Sequence, residues 1–315
     1  MSEKGNVAQE TAQYFRDVLA DAIKNAKTDE RAFEQNLEER TDLITVPSNE
    51  GQFKELIGLQ TSTFLDELFL NSKDSNLNGI PIVGQFGIVG LSGVGKSLLA
   101  QEMVLQLINK GKKVVFVTSE DIWSIETRYD LQSRMMEKAS NLQFNWNKIK
   151  DNLYILDSIS HSQLREWEMF VSTYRTIVEK NKIDVVVIDS ITLMETTRGM
   201  LKTRILELSR YNQLHGITGI YICQRAEEET DRFGIAGGIG VAHNLDSVIC
   251  IDFAKASGQM KEDLAIALNK QIKQWDLVHF VRVLSCRLCG FDRKYFPLEI
   301  TKQGFLRKIT QITGD

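Results

Sequence analysis

Long apolar runs are missing from this 315-residue chain, and their absence removes the membrane-spanning class. No stretch approaches the roughly 18 consecutive apolar residues that a transmembrane helix needs. The start, Met1-Ser2-Glu3-Lys4-Gly5-Asn6, has none of the apolar core of a secretory signal, so a cytoplasmic location is expected. Cysteine is scarce: Cys223, Cys250, Cys286 and Cys289 are too few and too scattered for a disulfide framework in a chain this long. Cys286 and Cys289 make one C-x-x-C without a second pair, whereas a structural zinc site takes four ligands, and no metal is expected there. A basic surplus is lacking as well. Lys+Arg total 38 against 42 Asp+Glu, and residues 1–50, with six Lys/Arg and eleven Asp/Glu, leave the remainder near neutral at +1. Nucleic-acid binding by bulk electrostatics is therefore disfavoured. There is no internal repeat and no low-complexity tract. With 43% hydrophobic and 25% charged residues, the composition is that of an ordinary globular protein.

What the chain does contain is the run Gly90-Leu91-Ser92-Gly93-Val94-Gly95-Lys96-Ser97, a G-x-x-x-x-G-K-S pattern. It follows the apolar run Phe86-Gly87-Ile88-Val89 and opens a helical pattern from Ser97 to Val104. Strand, loop and helix thus come in the order that a phosphate-binding loop requires. Its glycines let backbone N–H groups close on phosphate oxygens at a helix N-terminus, where free donors and the helix dipole favour anions. Residues Gly90 to Leu98 are expected to cradle the phosphates of a nucleotide, with Lys96 on the β- and γ-phosphates and the Ser97 hydroxyl on Mg²⁺.

From residue 80 onward apolar strands alternate with helical patterns. Strands are expected at Phe86–Gly90, Lys113–Ser119, Leu153–Asp157, Asp184–Asp189, Ile217–Cys223 and Ser247–Asp252. Helices are expected at Lys96–Lys110, Ile122–Ala139, Ser162–Lys180 and Met200–Leu214. Alternation of this kind implies an α/β fold, a mostly parallel sheet between two helical layers. After Asp252 come a charged helix near Lys261–Gln274 and two late strands, Val278–Ser285 and Pro297–Ile300, expected to extend one sheet edge. Upstream, Phe15, Val18, Leu19, Ala22, Ile23 and Ala26 form one helical apolar stripe, and an acidic helix Asp29–Arg40 precedes the linker Pro47-Ser48-Asn49-Glu50-Gly51. The expected division is an acidic helical segment, 1–50, and a core domain, 51–315. The stripe suits a cap on the same subunit or an arm that docks on a neighbour or protein partner.

A phosphate loop works with a carboxylate on the Mg²⁺ water shell, and Val185-Val186-Val187-Ile188-Asp189 supplies Asp189 at the end of an apolar strand. Hydrolysis also needs a group that orients and polarises the attacking water. Glu120 follows the strand Val114–Ser119 directly and is favoured for that role over Asp121 because it comes first and reaches further.

This combination, with Gln224 closing the next strand, resembles the RecA-like ATPases. Leu65-Asp66-Glu67-Leu68, Asn78-Gly79-Ile80-Pro81, Ile235-Ala236-Gly237-Gly238, His243-Asn244-Leu245-Asp246 and Leu298–Phe305 look like the KaiC and RadA/Sms branch, and the resemblance covers residues 56–307. It implies homo-oligomeric rings or filaments with ATP at subunit interfaces, and a γ-phosphate-sensing role for Gln224. It also implies a late Lys-x-Arg reaching the neighbour's nucleotide; here Ser285-Cys286-Arg287 keeps the arginine and loses the lysine. Arg287 is then a trans-acting finger or, alternatively, a surface residue. Arg128 stands where relatives pack on the adenine, or is an exposed helix arginine.

In recombinases the loop after Gln224 contacts DNA. Here Arg225 to Gly240 holds Arg225 and Arg232 against Glu227, Glu228, Glu229 and Asp231, a net of −2, which disfavours phosphate contacts. Phe233 among nearby glycines is a weak signal for stacking on single-stranded DNA. Asp231-Arg232-Phe233-Gly234 matches a GTPase D-x-x-G without the N-K-x-D that should follow, so that reading is rejected. His243 is read as a helix cap rather than a phosphate sensor. The expected function is an ATP-hydrolysing switch or motor acting on a protein partner. The alternatives are a single-strand-binding DNA repair ATPase and a non-hydrolysing nucleotide scaffold.

Overall fold

The computed structural model describes residues 56–124, 130–194, 200–225, 243–267, 271–274 and 276–309. They belong to the unit Leu56–Asp315. The N-terminal segment with its two expected helices lies outside the described residues, as do Arg128 and residues 226–242 of the loop after Gln224.

The strands run in chain order as β1 (Gly58–Leu59), β2 (Phe69–Leu70), β3 (Ile80–Pro81), β4 (Gln85–Gly90), β5 (Val114–Thr118), β6 (Leu153–Asp157), β7 (Val185–Asp189), β8 (Thr218–Gln224), β9 (Ser247–Lys255), β10 (Leu277–Cys286), β11 (Gly290–Phe291), β12 (Phe296–Ile300) and β13 (Leu306–Lys308). Nine of them form one sheet in the order β13-β12-β10-β9-β4-β8-β7-β5-β6. The stretch from β9 to β6 is parallel, and β10, β12 and β13 add an antiparallel edge. The expected mostly parallel sheet with late edge strands is what the chain builds.

Val-Val-Phe-Val-Thr in β5 and Val-Val-Val-Ile-Asp in β7 are buried at every position, because strands covered on both faces need no polar side. Successive side chains enter opposite layers. Val185 and Val187 join Leu99, Met103 and Met135 of the helices Lys96–Asn109 and Leu131–Asn141, whereas Val186 and Ile188 join Phe170, Tyr174 and Ile205 of Trp167–Asn181 and Leu201–Leu214. The result is the three-layer αβα architecture. One polar cluster within it is matched: Gln85 Oε1 accepts from the Tyr221 hydroxyl at 2.9 Å and from Asn212 Nδ2 at 3.1 Å, and Asn212 Oδ1 accepts from Tyr174 at 2.6 Å. This closed network ties the start of β4 to β8 and to both helices of that layer.

Three expected helices shift. The one placed at Ile122–Ala139 begins at Leu131, because Asp130 caps it by accepting from Ser133 N at 2.7 Å, while Trp123 N donates instead to Asp157 at 2.8 Å. The one placed at Ser162–Lys180 splits into a single turn, Ser162–Arg165, and the helix Trp167–Asn181, with Glu166 extended between them. The charged helix near Lys261–Gln274 occupies Gly258–Ala267, and Ile272 lies beyond it, buried with Ala256 and Val278.

Candidate nucleotide-binding site

β4, β5, β7 and β8 end on one edge of the sheet, since Gly90 is level with Gln224 and Thr118 with Asp189. The chain leaves β4, passes through the helix Lys96–Asn109 and enters β5 beyond β8 and β7. A reversal of strand order of this kind opens a crevice at the strand ends, where α/β sheets bind ligands.

The loop Gly90–Ser97 lines that crevice. Gly93 (φ 80°) and Gly95 (φ 95°) are left-handed, a conformation glycine adopts without a Cβ clash. A Cβ on Gly93 would meet nothing within 4 Å, so conformation alone demands glycine there; one on Gly95 would also lie 2.9 Å from Leu306 of β13. No side chain caps the helix at Gly95, which leaves its first N–H groups turned to the crevice. Val94 is buried in the core and can offer only its backbone.

Ser92, Gly93, Gly95, Lys96, Ser97, Leu98, Glu120, Ile222 and Gln224 surround a cleft of about 240 Å³. The Lys96 ammonium donates to the carbonyls of Gly90 at 3.0 Å and Leu91 at 2.7 Å. Burial lowers its pKa, against the opposing pull of Glu120 and Asp189. The Ser97 hydroxyl donates to Asp189 Oδ1 at 3.1 Å. Asp189 is buried, and burial, reinforced by the charges of Glu120 and Asp121, pushes its pKa up to about 7 despite Ser97 and Lys96.

The two acidic residues after β5 part ways. Glu120 is exposed to the cleft, and its Oε1 accepts from Gln224 Nε2 at 3.2 Å. Asp121 instead pairs with Arg134 at 2.7 Å and takes no part in the lining. Beneath them Ser119 is laced to β7: its N–H donates to Asp189 O at 2.9 Å and its hydroxyl to Ser190 O at 2.7 Å.

Some contributors carry no sequence signal. Thr192 Oγ1 accepts from Gln224 N at 3.0 Å, Arg225 N donates to Gly90 O at 3.0 Å, and the Arg225 guanidinium pairs with Asp252 of β9. Behind the loop, Arg307 of β13 donates to both carboxylate oxygens of the fully buried Glu102, at 2.7 and 2.9 Å. Glu102 sits on an otherwise apolar helix face, and a lone buried glutamate was the available hint that a cation must come from elsewhere.

Arg287 is not brought to the cleft. Its neighbour Cys286 pairs with Ser247, and Ser247 with Phe86 at the start of β4, so Arg287 lies at the sheet edge opposite the phosphate loop. Its backbone N–H donates to Asp246 O at 2.8 Å and its side chain is exposed. His243 is exposed and lines no part of the cleft.

No helix among the described residues is long and apolar enough to cross a membrane. Curated relatives include UPF0273 proteins of Pyrococcus furiosus, 24% identical over 246 residues (72% of this chain, 87% of the relative), and of Thermotoga maritima, 23% identical over 247 residues (72% and 88%). Among solved structures, the KaiC-like protein of Pyrococcus horikoshii OT3 superposes with a TM-score of 0.57 at 18% identity, covering 80% of this chain and 99% of that one, a likeness of fold. The family model for the KaiC ATPase matches residues 62–309, a span that takes in the phosphate loop, every strand of the large sheet and the Arg307–Glu102 pair behind the loop. Over most of its length, then, this chain is a RecA-like P-loop protein, and it belongs to the KaiC ATPase family.

Proposed function

We propose that the cleft binds ATP with Mg²⁺ and hydrolyses it, in a homo-oligomer that acts as a switch or motor on a protein partner. The observation that carries the reading is convergence: Lys96, Ser97, Glu120 and Gln224, from three separate elements, line one cleft, and Asp189 touches Ser97. The backbone N–H groups of the loop and the Lys96 ammonium would bind the phosphate oxygens.

Ser97 and Asp189 suit Mg²⁺, being hard oxygen donors side by side, and a divalent cation offsets the penalty that burial places on the Asp189 charge. When bound, that ion neutralises charge on the transferring phosphoryl group. Glu120 is the base that orients water, and Gln224, holding its carboxylate, reports on the γ-phosphate position. Asp121, taken up by Arg134, is not the base.

Arg287 stands about 16 Å along the strands from its own loop, one residue beyond Cys286 and so five residues of rise from the level of Gly90, and would serve a neighbour's nucleotide rather than its own. Residues 1–50, acidic and striped, are the proposed partner-binding segment, and Arg128 the adenine contact.

ATPase rate and particle mass measured together, with and without single-stranded DNA, test this reading. Turnover that needs Lys96, ATP-dependent assembly, and indifference to DNA are expected. Stimulation by DNA would instead establish the repair function, and ATP binding without turnover the scaffold.

A further inference from the structure

Cys286 and Cys289 lie outside the cleft and have no part in the function proposed above. They bracket the turn by which the chain passes from β10 in the large sheet to β11, which pairs with β2 in a separate two-stranded sheet. Their sulfurs stand 3.7 Å apart, both thiols are free, and both residues are partly exposed. The backbone N–H groups of Leu288 and Cys289 lie near the Cys286 sulfur and favour its charged form. Successive N–H groups converging on one atom favour negative charge there. The Cys289 thiol and those two N–H groups together draw the Cys286 pKa down to about 6, while the same contact raises that of Cys289. The pair therefore has one thiol whose charged form is favoured and a second in contact with it. Cys223 and Cys250, by contrast, are buried in the sheet, and burial raises both pKa values. They are inert.

We propose that Cys286 and Cys289 are a reversible dithiol–disulfide site, with Cys286 the attacking thiol, Cys289 the resolving thiol, and a small-molecule disulfide such as oxidised glutathione the oxidant. The Cys286 thiolate attacks one sulfur of the small disulfide, forming a mixed disulfide and expelling one thiolate. The Cys289 thiol gives its proton to that thiolate and attacks the Cys286 sulfur, releasing the second small-molecule sulfur as a thiolate, which takes from water the proton that Cys286 gave up on ionising. The protein loses two protons and two electrons, and the small disulfide takes up both to become two thiols. Closing 3.7 Å to a bond of about 2 Å takes side-chain rotation within one turn. The ring so formed encloses Arg287 and Leu288. Where Arg287 acts on a neighbour's nucleotide, as proposed above, oxidation restrains the backbone that presents it; this consequence rests on that reading, while the thiol chemistry does not.

The full chain, equilibrated with oxidised glutathione, acid-quenched, denatured and alkylated, should show two alkylated cysteines in place of four, with Cys286 and Cys289 linked within one chain and released by dithiothreitol. Before oxidation, brief iodoacetamide treatment of the native protein at neutral pH should label Cys286 first. Cys289→Ser should stop at the glutathione adduct on Cys286, and Cys286→Ser should form neither species. Four free thiols after equilibration, linkage between two chains, or zinc held by the untreated protein and lost with chelator would overturn the site. Turnover is read on the same samples. A change on oxidation that disappears in Arg287→Ala ties the site to ATP use, and equal rates in both redox states overturn that tie alone.

Discussion

The Gln224 amide donates to Glu120 Oε1 at 3.2 Å and so joins the ends of β8 and β5 across the end of β7, the strand that carries Asp189. An uncharged amide donor at this position is compatible with the role of base proposed above for Glu120. Glu120→Gln should keep nucleotide affinity within a few-fold and lower turnover by about 10²–10⁴-fold, the range for loss of a general base. Gln224→Ala should also bind, with turnover down by roughly tenfold, since it removes orientation rather than the base. Fluorescent-nucleotide titration beside single-turnover hydrolysis separates the two effects. Unchanged turnover in Glu120→Gln would remove that residue from catalysis.

Asp189 should make Mg²⁺–ATP binding depend on pH. Its pKa, pushed up to about 7 chiefly by burial, leaves it a neutral acid below that value and a carboxylate above. Holding Mg²⁺ requires the carboxylate and releases the proton, so Mg²⁺–ATP affinity should fall about tenfold per pH unit below 7 and level off above 8. Without Mg²⁺ the stability contribution runs the other way: a raised folded pKa stabilises below the unfolded value of 3.8, and this is lost as pH rises through 7. Asp189→Asn should bind Mg²⁺–ATP weakly with most of that slope removed. A slope equal to the wild type's would assign the titration to the nucleotide.

Gly95→Ala tests the loop itself. The left-handed backbone costs a side chain about 1–2 kcal/mol, and contact with Leu306 adds to it. Urea unfolding should show a loss of about 2–3 kcal/mol, with nucleotide affinity falling along with it. Adding Leu306→Ala should restore part of the stability and little of the affinity, because only the clash is relieved.

Arg307→Ala should destabilise by about 2–3 kcal/mol, below the range for a fully buried pair because the Arg307 side chain is 40% exposed. The loss arises from leaving the Glu102 charge in the core. Burial already raises the Glu102 pKa, so the penalty should shrink as pH falls toward 5 and the acid takes up its proton. Unfolding curves at pH 5 and pH 8 check the sign, and Glu102→Gln combined with Arg307→Ala should be milder than Arg307→Ala alone.

The sheet was legible because its central strands are buried on both faces and so read as unbroken apolar runs, Val114–Thr118 and Val185–Asp189 among them. Leu153–Asp157 matches its expected bounds, and most other strand bounds shift by a residue or two; β9 runs on to Lys255. Helix starts were less legible. Apolar residues precede Leu131 as well as follow it, and only the partners of Trp123 and Asp130 show that Trp123 is held by Asp157 and that Asp130 caps the helix from Leu131. The strand β13 escaped notice because three residues carry no period, although it places Leu306 against Gly95 and Arg307 on Glu102.

By itself the sequence determined the phosphate loop, the strand-end positions of Glu120, Asp189 and Gln224, and the α/β class. Each of these follows from local pattern: glycine spacing, apolar runs, and the residue type that closes a strand. Order and reach in the sequence favoured Glu120 over Asp121, and the tertiary structure supplied the partners that separate them, Gln224 for Glu120 at the cleft and Arg134 for Asp121 away from it. It alone put Arg287 on the far edge of its own sheet and set Arg307 against Glu102 from 205 residues away. Contacts of that separation depend on how strands are ordered across a sheet, and strand order leaves no mark on the periodicity of any one segment.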